Sequence, residues 1–344
     1  MILFMSVFII AELSANHNHK KEIALESIKA AKEAGADAVK IQTYTADTLT
    51  LNCDNEYFQI KHGTLWDGTT FYKLYQQAYT PWEWHKELFD YAKAINIPLF
   101  STPFDKTAVD FLETLDNPII KIASFELVDT PLIEYAASKG RPMIMSTGIA
   151  TLDEIQDAVD ACHRVGNDDV TLLKCTSSYP APLSEANLLT IPDMANRFGC
   201  KVGLSDHSAG SVAACAAVAL GARVVEKHFI IDKSIGGPDA AFSMTKKEFA
   251  EMVKKVRETE ASLGHISYEL SDNMKNNRKF SRSLFACKDI KKGDVFTEYN
   301  IRSVRPGDGC SPKFFPALLG KASDRDYKFG DPIVYVQSDS GIKE

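Results

Sequence analysis

Eight short apolar runs are spaced over the first two thirds of the chain, and helix-like stretches with one apolar face separate them. The runs are typical of strands buried on both faces, and one intervening helix opens on a capping box, Thr151-Leu152-Asp153-Glu154. This alternation predicts an α/β fold, a (β/α)8 TIM barrel with a parallel sheet. The predicted strands cover residues 7–11, 38–42, 98–101, 119–123, 143–146, 170–174, 202–205 and 224–228.

The connection after the second predicted strand breaks this rhythm. Residues 44–80 form a long, aromatic-rich insertion that follows the carboxyl end of a strand. Because TIM barrels build their sites at that end, we expect the insertion to be functional. The alternative is that its aromatic side chains only pack against the barrel.

The sequence changes in character after residue 263. Residues 264–279 are polar and Asn-rich, which predicts a linker between a barrel of residues 1–263 and a C-terminal module of residues 280–344. Within the module, Gly and Pro turns separate short strands predicted at 281–286, 289–294 and 301–309. A module of this size is small enough to depend on a neighbour for stability.

Composition narrows the possible partners and the compartment. The formal charge is −7 and the sequence has no basic stripe, which argues against a nucleic-acid partner. Residues 1–10 are apolar but lack a basic start and a cleavage site, and they are too short to span a bilayer, so we interpret them as a buried first strand and expect no membrane partner. The seven cysteines include no C-x-x-C pair, which suggests neither a zinc knuckle nor a disulfide framework and favours a reducing, cytoplasmic location.

Two histidines end the last two predicted strands at corresponding positions, in Ser205-Asp206-His207-Ser208 and Glu226-Lys227-His228-Phe229. Neighbouring strands of a parallel barrel would present both imidazoles on the carboxyl-end face, and each has an acidic neighbour able to orient it. A lone histidine here is usually a polar cap on a strand, but a matched pair predicts a divalent metal site. Two neutral imidazoles would leave ligand positions open for substrate and water.

Polar side chains also follow the other strands. Each alone is usually a strand cap, yet several lysines close to one barrel axis are costly to bury without an anion. Together they predict a pocket for phosphate and carboxylate groups. The set comprises Glu12, Asn16 and His17; Lys40, Gln42 and Thr43; Ser101 and Thr102; Lys121 and Ser124; Ser146 and Thr147; and Lys174, Thr176, Ser177 and Tyr179.

The segments that carry these residues resemble the sialic acid synthase family over nearly the whole chain. Besides the two histidine segments, they are Ala11-Glu12, Val39-Lys40-Ile41-Gln42-Thr43, Phe100-Ser101-Thr102-Pro103-Phe104-Asp105, Lys121-Ile122-Ala123-Ser124, Ser146-Thr147-Gly148 and Cys175-Thr176-Ser177-Ser178-Tyr179-Pro180. In the C-terminal module, Lys292-Gly293-Asp294 and Arg305-Pro306-Gly307 resemble the antifreeze-like (SAF) domain of that family. Trp66, residues 74–84 and Ser124-Phe125-Glu126 are most similar to the pseudaminic acid branch, whereas the sialic acid branch usually has Ser-Gly-Glu at the last position.

This resemblance implies a transferase that condenses phosphoenolpyruvate with an N-acylated aminosugar. For this branch the acceptor is 2,4-diacetamido-2,4,6-trideoxy-altrose and the products are pseudaminate and phosphate. Phosphoenolpyruvate would be held by Lys40, Thr102, Lys121, Ser124, Ser146, Ser177 and Ser205, where Ser177 departs from an Asn of some relatives. His207 and His228 would hold manganese, magnesium or cobalt. Glu12 would face the metal and the aldehyde, and Tyr179 and Asp239 the sugar.

The resemblance also implies a homodimer. In relatives the C-terminal module swaps over the partner's barrel mouth, which would bring Arg305 to the sugar site of the other subunit. From the residues alone, Arg305 is a surface residue in a turn before Pro306.

The identity of the acceptor stays open at this stage. A 6-deoxy sugar offers a methyl group that Phe125 and the aromatic residues of 44–80 would suit, but an apolar pocket rejects a hydroxyl only about a hundredfold. Legionaminate and N-acetylneuraminate synthesis are therefore alternatives. A deoxy-sugar-phosphate synthase with a phosphorylated acceptor and a non-catalytic antifreeze-like interaction protein are two further hypotheses. The filled lysine, hydroxyl and histidine positions favour an enzyme.

Overall fold

Eight parallel strands close into a barrel in the computed structural model, which describes residues 6–61, 63 and 66–335. Neighbours in sequence pair in order, and β1 pairs with β8 to close the ring, with Glu12 opposite His228. The predicted (β/α)8 barrel is confirmed. Its strands are β1 (Phe8–Glu12), β2 (Ala38–Thr43), β3 (Leu99–Pro103), β4 (Ile120–Ile122), β5 (Met143–Ser146), β6 (Val170–Cys175), β7 (Lys201–Asp206) and β8 (Val224–Ile230).

Helices follow every strand and surround the barrel. The predicted capping box is present, since the Thr151 hydroxyl accepts from the Glu154 amide and the Glu154 carboxylate accepts from the Thr151 amide at 2.7 Å. The helices are α1 (Lys21–Glu33), α2 (Ala46–Leu49), α3 (Phe71–Ala78), α4 (Trp82–Ala94), α5 (Lys106–Glu113), α6 (Thr130–Ala137), α7 (Leu152–Arg164), α8 (Thr190–Phe198), α9 (Val212–Ala219) and α10 (Lys246–Leu263).

Three details of the first unit, Met1–Gly264, differ from or add to the prediction. A short strand, β9 (Met244–Thr245), was not predicted and pairs with β8. The insertion contains α2 and α3, and the first five residues of the predicted N-terminal strand lie outside the described residues. Among the described residues, every helix is too short or too polar to cross a membrane.

The barrel interior has an apolar floor and a polar layer above it. Side chains alternate along a strand, so the residues two positions beyond the floor also face inward. The floor consists of Phe8, Ile10, Ala38, Phe100, Ile119, Ile144, Leu173 and Val224. The polar layer, two positions further along, consists of Glu12, Lys40, Thr102, Lys121, Ser146, Cys175 and Glu226 together with Ser205 of β7. The folding pattern therefore places buried charges at the carboxyl ends of the strands.

Two buried histidines, one on α4 and one after β1, form hydrogen bonds with neighbouring segments of the chain. His85 Nε2 lies 2.8 Å from the Thr43 hydroxyl, which lies 2.6 Å from the Ser101 hydroxyl, and His85 Nδ1 lies 3.2 Å from the Pro81 carbonyl. His17 Nε2 lies 3.1 Å from the Thr80 hydroxyl. Burial lowers the pKa of both His17 and His85 from 6.5 to about 4.

These two histidines predict a loss of stability in weak acid. They are neutral in the folded protein but bind protons in the unfolded chain below pH 6.5. Their contribution is therefore intact above 6.5 and is lost as the pH falls towards about 4, by up to about 3 kcal/mol per histidine. Urea unfolding followed by tryptophan fluorescence at neutral and acid pH measures this, because all three Trp residues lie in the first unit. A His85→Gln variant that keeps the full pH dependence would show the assignment to His85 to be wrong.

The second unit, His265–Glu344, has its own core. Its strands β10 (Ser283–Ala286) and β11 (Ile301–Val304) pair antiparallel, and it contains α11 (Asp272–Asn277) and α12 (Phe315–Leu318). Helix α11 falls within the segment predicted as a linker. The predicted strand at 289–294 is wrong: apart from an isolated bridge at Ile290, this segment forms a turn in which Gly293 adopts a φ of +94°. The buried core consists of Leu284, Ala286, Ile290, Phe296, Ile301, Leu318, Tyr327 and Ile333.

Candidate active site

Two buried lysines occupy the polar layer on β2 and β4. Lys121 Nζ donates to the Ser146 hydroxyl at 2.7 Å and to the Ile122 carbonyl at 2.9 Å. Lys40 Nζ donates to the Thr102 hydroxyl at 3.2 Å. The predicted cations and hydroxyls of β2 to β5 are thus brought together inside the barrel mouth.

Two carboxylates balance these lysines. Lys40 forms an ion pair with Glu12 and lies 3.7 Å from Glu226 Oε1, which is 4.0 Å from Lys121 Nζ. Burial raises the pKa of Glu12 to about 7, against the opposing charge of Lys40. Burial acts in the same direction on Glu226, but Lys121 and Lys40 outweigh it and lower the pKa of that carboxyl. The Ser205 hydroxyl donates to Glu226 Oε1 at 3.4 Å.

The ends of β4, β5 and β6 form a small cradle around Gly148. The Gly148 amide donates to the Ser124 hydroxyl at 3.1 Å. A Cβ atom on Gly148 would lie 2.1 Å from Ser177 Oγ, 2.8 Å from Ser124 Oγ and 3.0 Å from Cys175 Sγ. The two separations to serine oxygens are too short for real contacts, so a side chain at position 148 would displace the hydroxyls of both predicted serines.

The two predicted metal-binding histidines lie together at the ends of β7 and β8. Their ring centroids are 5.3 Å apart; His207 is buried and contacts Tyr179, and the partly buried His228 contacts Phe242. His207 Nδ1 lies 3.0 Å from the Thr176 carbonyl, so this nitrogen must donate, which leaves the Nε2 lone pair for a ligand. Burial lowers the pKa of His228 well below its usual range, and His228 Nδ1 has no hydrogen-bond partner among the described residues.

The arrangement fits a two-histidine metal site. The fixed tautomer of His207 and the neutral, unpartnered imidazole of His228 are the chemistry that a metal ligand needs. Burial alone would lower the pKa of His207, but the Cys175 thiol and the Thr176 carbonyl outweigh it and raise that pKa, so a proton competes for this histidine. Within the described ranges, no group of three or more His, Cys, Asp or Glu side chains could hold a metal ion, and the candidate site rests on these two imidazoles.

The prediction that acidic neighbours orient the histidines is wrong. Asp206 points out of the barrel and pairs with Lys227 at 2.6 Å, because its position alternates with the inward-facing Ser205 and His207. Glu226 serves the two lysines of the polar layer instead. The backbone carbonyl of Thr176 takes the orienting role for His207.

Tyr179 and Asp239 lie on the histidine side of the mouth. The Tyr179 ring centroid is 4.4 Å from that of His207 and 5.7 Å from that of Trp66. Asp239 is buried, and burial raises its pKa although its Oδ2 accepts from the Ala15 amide at 3.5 Å. Beside Trp66, a cleft of about 580 Å³ is lined by Asn18, His19, Trp66, Asp67, Thr69, Leu74, Gln76, Gln77, Gly237 and Pro238.

Three residues with predicted roles face outward or are exposed: Lys174, Phe125 and Arg305. Lys174 faces outward and donates to the Cys175 carbonyl at 2.6 Å, so the prediction that it joins the anion pocket is wrong. Phe125 is 57% exposed. Arg305 is exposed after β11 in the second unit, and its role at a partner's sugar site stays a prediction.

Sequence reasoning missed two groups that face the site or lie near it. Cys175, two positions beyond Leu173, belongs to the polar layer, and strand alternation could have found it. Burial raises its pKa, but contacts with His207 outweigh this and lower the pKa of the thiol to about 7. Glu126 has a buried Oε2 without a hydrogen-bond partner among the described residues, and burial raises its pKa to about 7 against the charge of Lys121.

Comparison with known proteins gives consistent matches along the chain. The profile described as the NeuB family matches residues 27–268, and that of the SAF domain matches residues 281–337. The pseudaminic acid synthase of Campylobacter jejuni is 51% identical over 95% of both chains. That of Helicobacter pylori is 48% identical over 94% of this chain and 96% of its own.

Two further comparisons are more distant. The N,N'-diacetyllegionaminic acid synthase of Campylobacter jejuni is 37% identical over 93% of this chain and 96% of its own. Among solved structures, the spore coat polysaccharide biosynthesis protein SpsE of Bacillus subtilis superposes with a TM-score of 0.65 at 36% identity, covering 96% of this chain and 94% of that chain.

Proposed function

The chain belongs to the NeuB family, and on this premise we propose that it is a pseudaminic acid synthase. This transferase condenses phosphoenolpyruvate with 2,4-diacetamido-2,4,6-trideoxy-β-L-altropyranose and water to give pseudaminate and phosphate. One observation carries the proposal: similarity to pseudaminic acid synthases runs over nearly the whole chain and exceeds that to a legionaminic acid synthase. Synthesis of legionaminate or N-acetylneuraminate is the alternative.

The polar side chains at the carboxyl ends of β2 to β7 support the binding of phosphoenolpyruvate. Phosphate and carboxylate groups both need charge-assisted donors in a site that excludes water. Lys40 and Lys121 supply the charge, and the surrounding hydroxyls of Thr102, Ser124, Ser146, Ser177 and Ser205 supply further donors. Glu12 and Glu226 keep the lysines paired and at the mouth of the barrel.

The histidine side supports an acceptor sugar. Tyr179 offers a hydroxyl and an apolar face beside His207, and Asp239 offers a carboxylate that can accept from sugar hydroxyls. The cleft beside Trp66 adds the amide side chains of Asn18, Gln76 and Gln77, which suit the acetamido groups of the acceptor. We assign the sugar to this side.

We propose that His207 and His228 hold a divalent metal, namely manganese, magnesium or cobalt. When bound, the metal supplies a Lewis acid that makes the aldehyde carbon more electrophilic. The Thr176 carbonyl keeps His207 in the ligating tautomer, and Tyr179 and Phe242 shield the imidazoles from bulk water.

The side chains of the polar layer account for the proton and charge transfers. C3 of phosphoenolpyruvate bonds to the aldehyde carbon, whose oxygen gains a proton, and a water adds at C2 with loss of a proton before phosphate leaves. Glu12, with a pKa of about 7, can exchange protons near neutrality and is assigned to the water and the aldehyde. Lys40 and Lys121 stabilise the departing phosphate. Glu126 is a second candidate for proton transfer.

The predicted homodimer belongs to this proposal. Arg305 is exposed, and its guanidinium can donate to an N-acetyl carbonyl of an acceptor in the other subunit.

Phosphate release from phosphoenolpyruvate tests the function directly. The assay compares the diacetamido-trideoxy-altrose acceptor with its legionaminate-type counterpart and N-acetylmannosamine, with manganese present or chelated. We expect metal-dependent release with the altrose sugar and at least about tenfold slower release with the others, since a methyl-for-hydroxyl exchange in an apolar subsite discriminates modestly.

Other outcomes identify the alternatives. Preference for another N-acylated sugar would overturn the pseudaminate assignment, and release with arabinose 5-phosphate would indicate a deoxy-sugar-phosphate synthase. Absence of release with every acceptor, combined with thermal hysteresis, would support the antifreeze-like interaction protein.

A further inference from the structure

Lys227 is a buried lysine with no place in the chemistry proposed above. It lies between Glu226 and His228 on β8 but points out of the barrel, and it is 1% exposed. Its Nζ donates to Asp206 Oδ2 at 2.6 Å, to the Ser208 carbonyl at 2.5 Å and to the Gly210 carbonyl at 3.2 Å. The three ammonium protons of Lys227 therefore all donate to one short turn, residues 206–210.

The turn formed by residues 206–210 carries His207. Strand β7 ends at Asp206, whose ladder partner is Lys227, so no further strand pairing of β7 with β8 holds the residues beyond it. Asp206 Oδ1 accepts from the Ser208 amide at 2.8 Å and from its hydroxyl at 2.6 Å. Lys227 and Asp206 together hold this turn on both sides of His207, beyond the last residue pair of β7 and β8.

The same turn supports the loop that carries Tyr179. The Ala181 amide donates to the His207 carbonyl at 3.0 Å, and Ala181 forms an isolated bridge with Ser208. The imidazole of His207 contacts the Thr176 carbonyl and the Tyr179 ring. A displacement of the turn would thus move one imidazole and the aromatic ring beside it.

We propose that the Lys227–Asp206 pair is a positioning lock, which fixes His207 and the Tyr179 loop relative to His228. The effect of this lock on catalysis rests on the proposed function. A buried ion pair is weak evidence for stability alone, because apolar residues can often replace one at no cost. The contacts to the Ser208 and Gly210 carbonyls, beyond the last β7–β8 residue pair, give this ion pair a role that apolar residues cannot supply.

The test compares Lys227→Met and the double variant Asp206→Asn/Lys227→Met with the wild type. The double variant leaves no unpaired buried carboxylate and guards against simple failure to fold. The control is Lys201→Met, which removes a partly exposed lysine paired with Asp169 at 2.7 Å at the amino end of β7, away from the turn. Each protein is examined for manganese binding by electron paramagnetic resonance, for steady-state kinetics, and for hydrogen exchange in the peptide that contains Ala181.

We expect the Lys227 variants to bind manganese about ten- to a hundredfold more weakly, as for lost supports of metal ligands. The KM for the acceptor rises while that for phosphoenolpyruvate stays within about twofold, and exchange at Ala181 accelerates. Lys201→Met changes none of these. A double variant with wild-type manganese affinity and unchanged Ala181 protection would overturn the lock. Failure of the wild type to bind manganese would overturn the metal assignment instead. The hydrogen-exchange rate at Ala181 would then still test whether the Lys227–Asp206 pair holds the turn.

Discussion

Replacing His228 by alanine is expected to lower turnover about a thousandfold and to abolish manganese binding. The lost imidazole is one of only two candidate ligands at the site within the described residues, and loss of a Lewis acid costs several kcal/mol of transition-state stabilisation. A thousandfold drop corresponds to about 4 kcal/mol. Phosphate release with saturating substrates and manganese titration by electron paramagnetic resonance measure the two effects.

Replacing a buried histidine away from the site separates the loss of a metal ligand from a loss of packing. His85 is buried, and its nitrogens contact Thr43 and Pro81 on the outer side of the barrel wall. We expect His85→Gln to lose stability and to keep manganese affinity and turnover. If His228→Ala kept wild-type turnover that chelation did not change, the two-histidine site would be wrong.

Strand positions could be predicted because a barrel strand repeats a local rule. A run buried on both faces between helices indicates a parallel strand, and its carboxyl end indicates where polar side chains gather. All eight predicted runs overlap the observed strands. Glu12, Lys40 and Lys121 followed from that rule together with the family resemblance.

Side-chain direction and partner choice could not be predicted from position alone. The predicted run ends at Lys174 and therefore places this lysine in the pocket, whereas β6 extends one residue further and turns Cys175 inward. Adjacency in sequence predicts that Asp206 orients His207, whereas side chains of neighbouring strand residues point to opposite faces. Its true partner, Lys227, comes from the next strand, which is a tertiary contact that adjacency in sequence does not show.

Lys121 is the more deeply buried of the two lysines in the anion pocket. Its side chain is 2% exposed, and its Nζ is held by the Ser146 hydroxyl and the Ile122 carbonyl. Burial lowers the pKa of Lys121, although Glu226 opposes that shift. The folded protein therefore holds this charge at a cost, and an anionic substrate is the group that most directly offsets it.

Lys121→Met is accordingly expected to lower kcat/KM for phosphoenolpyruvate about a hundred- to a thousandfold, the usual loss when one donor to a developing anion is removed. The free energy of unfolding should also fall, because the change leaves Lys40, among the described residues, as the one cation beside the two buried carboxylates Glu12 and Glu226. Lys174→Met is the matched control, because that lysine follows the same strand-end pattern but faces outward, and its effect should stay within about twofold. Initial rates over a range of phosphoenolpyruvate concentrations and urea unfolding provide both measurements. Wild-type kcat/KM in Lys121→Met would exclude this lysine from the anion site, and an equal loss in Lys174→Met would show that charge at the barrel rim, rather than a built pocket, attracts the substrate.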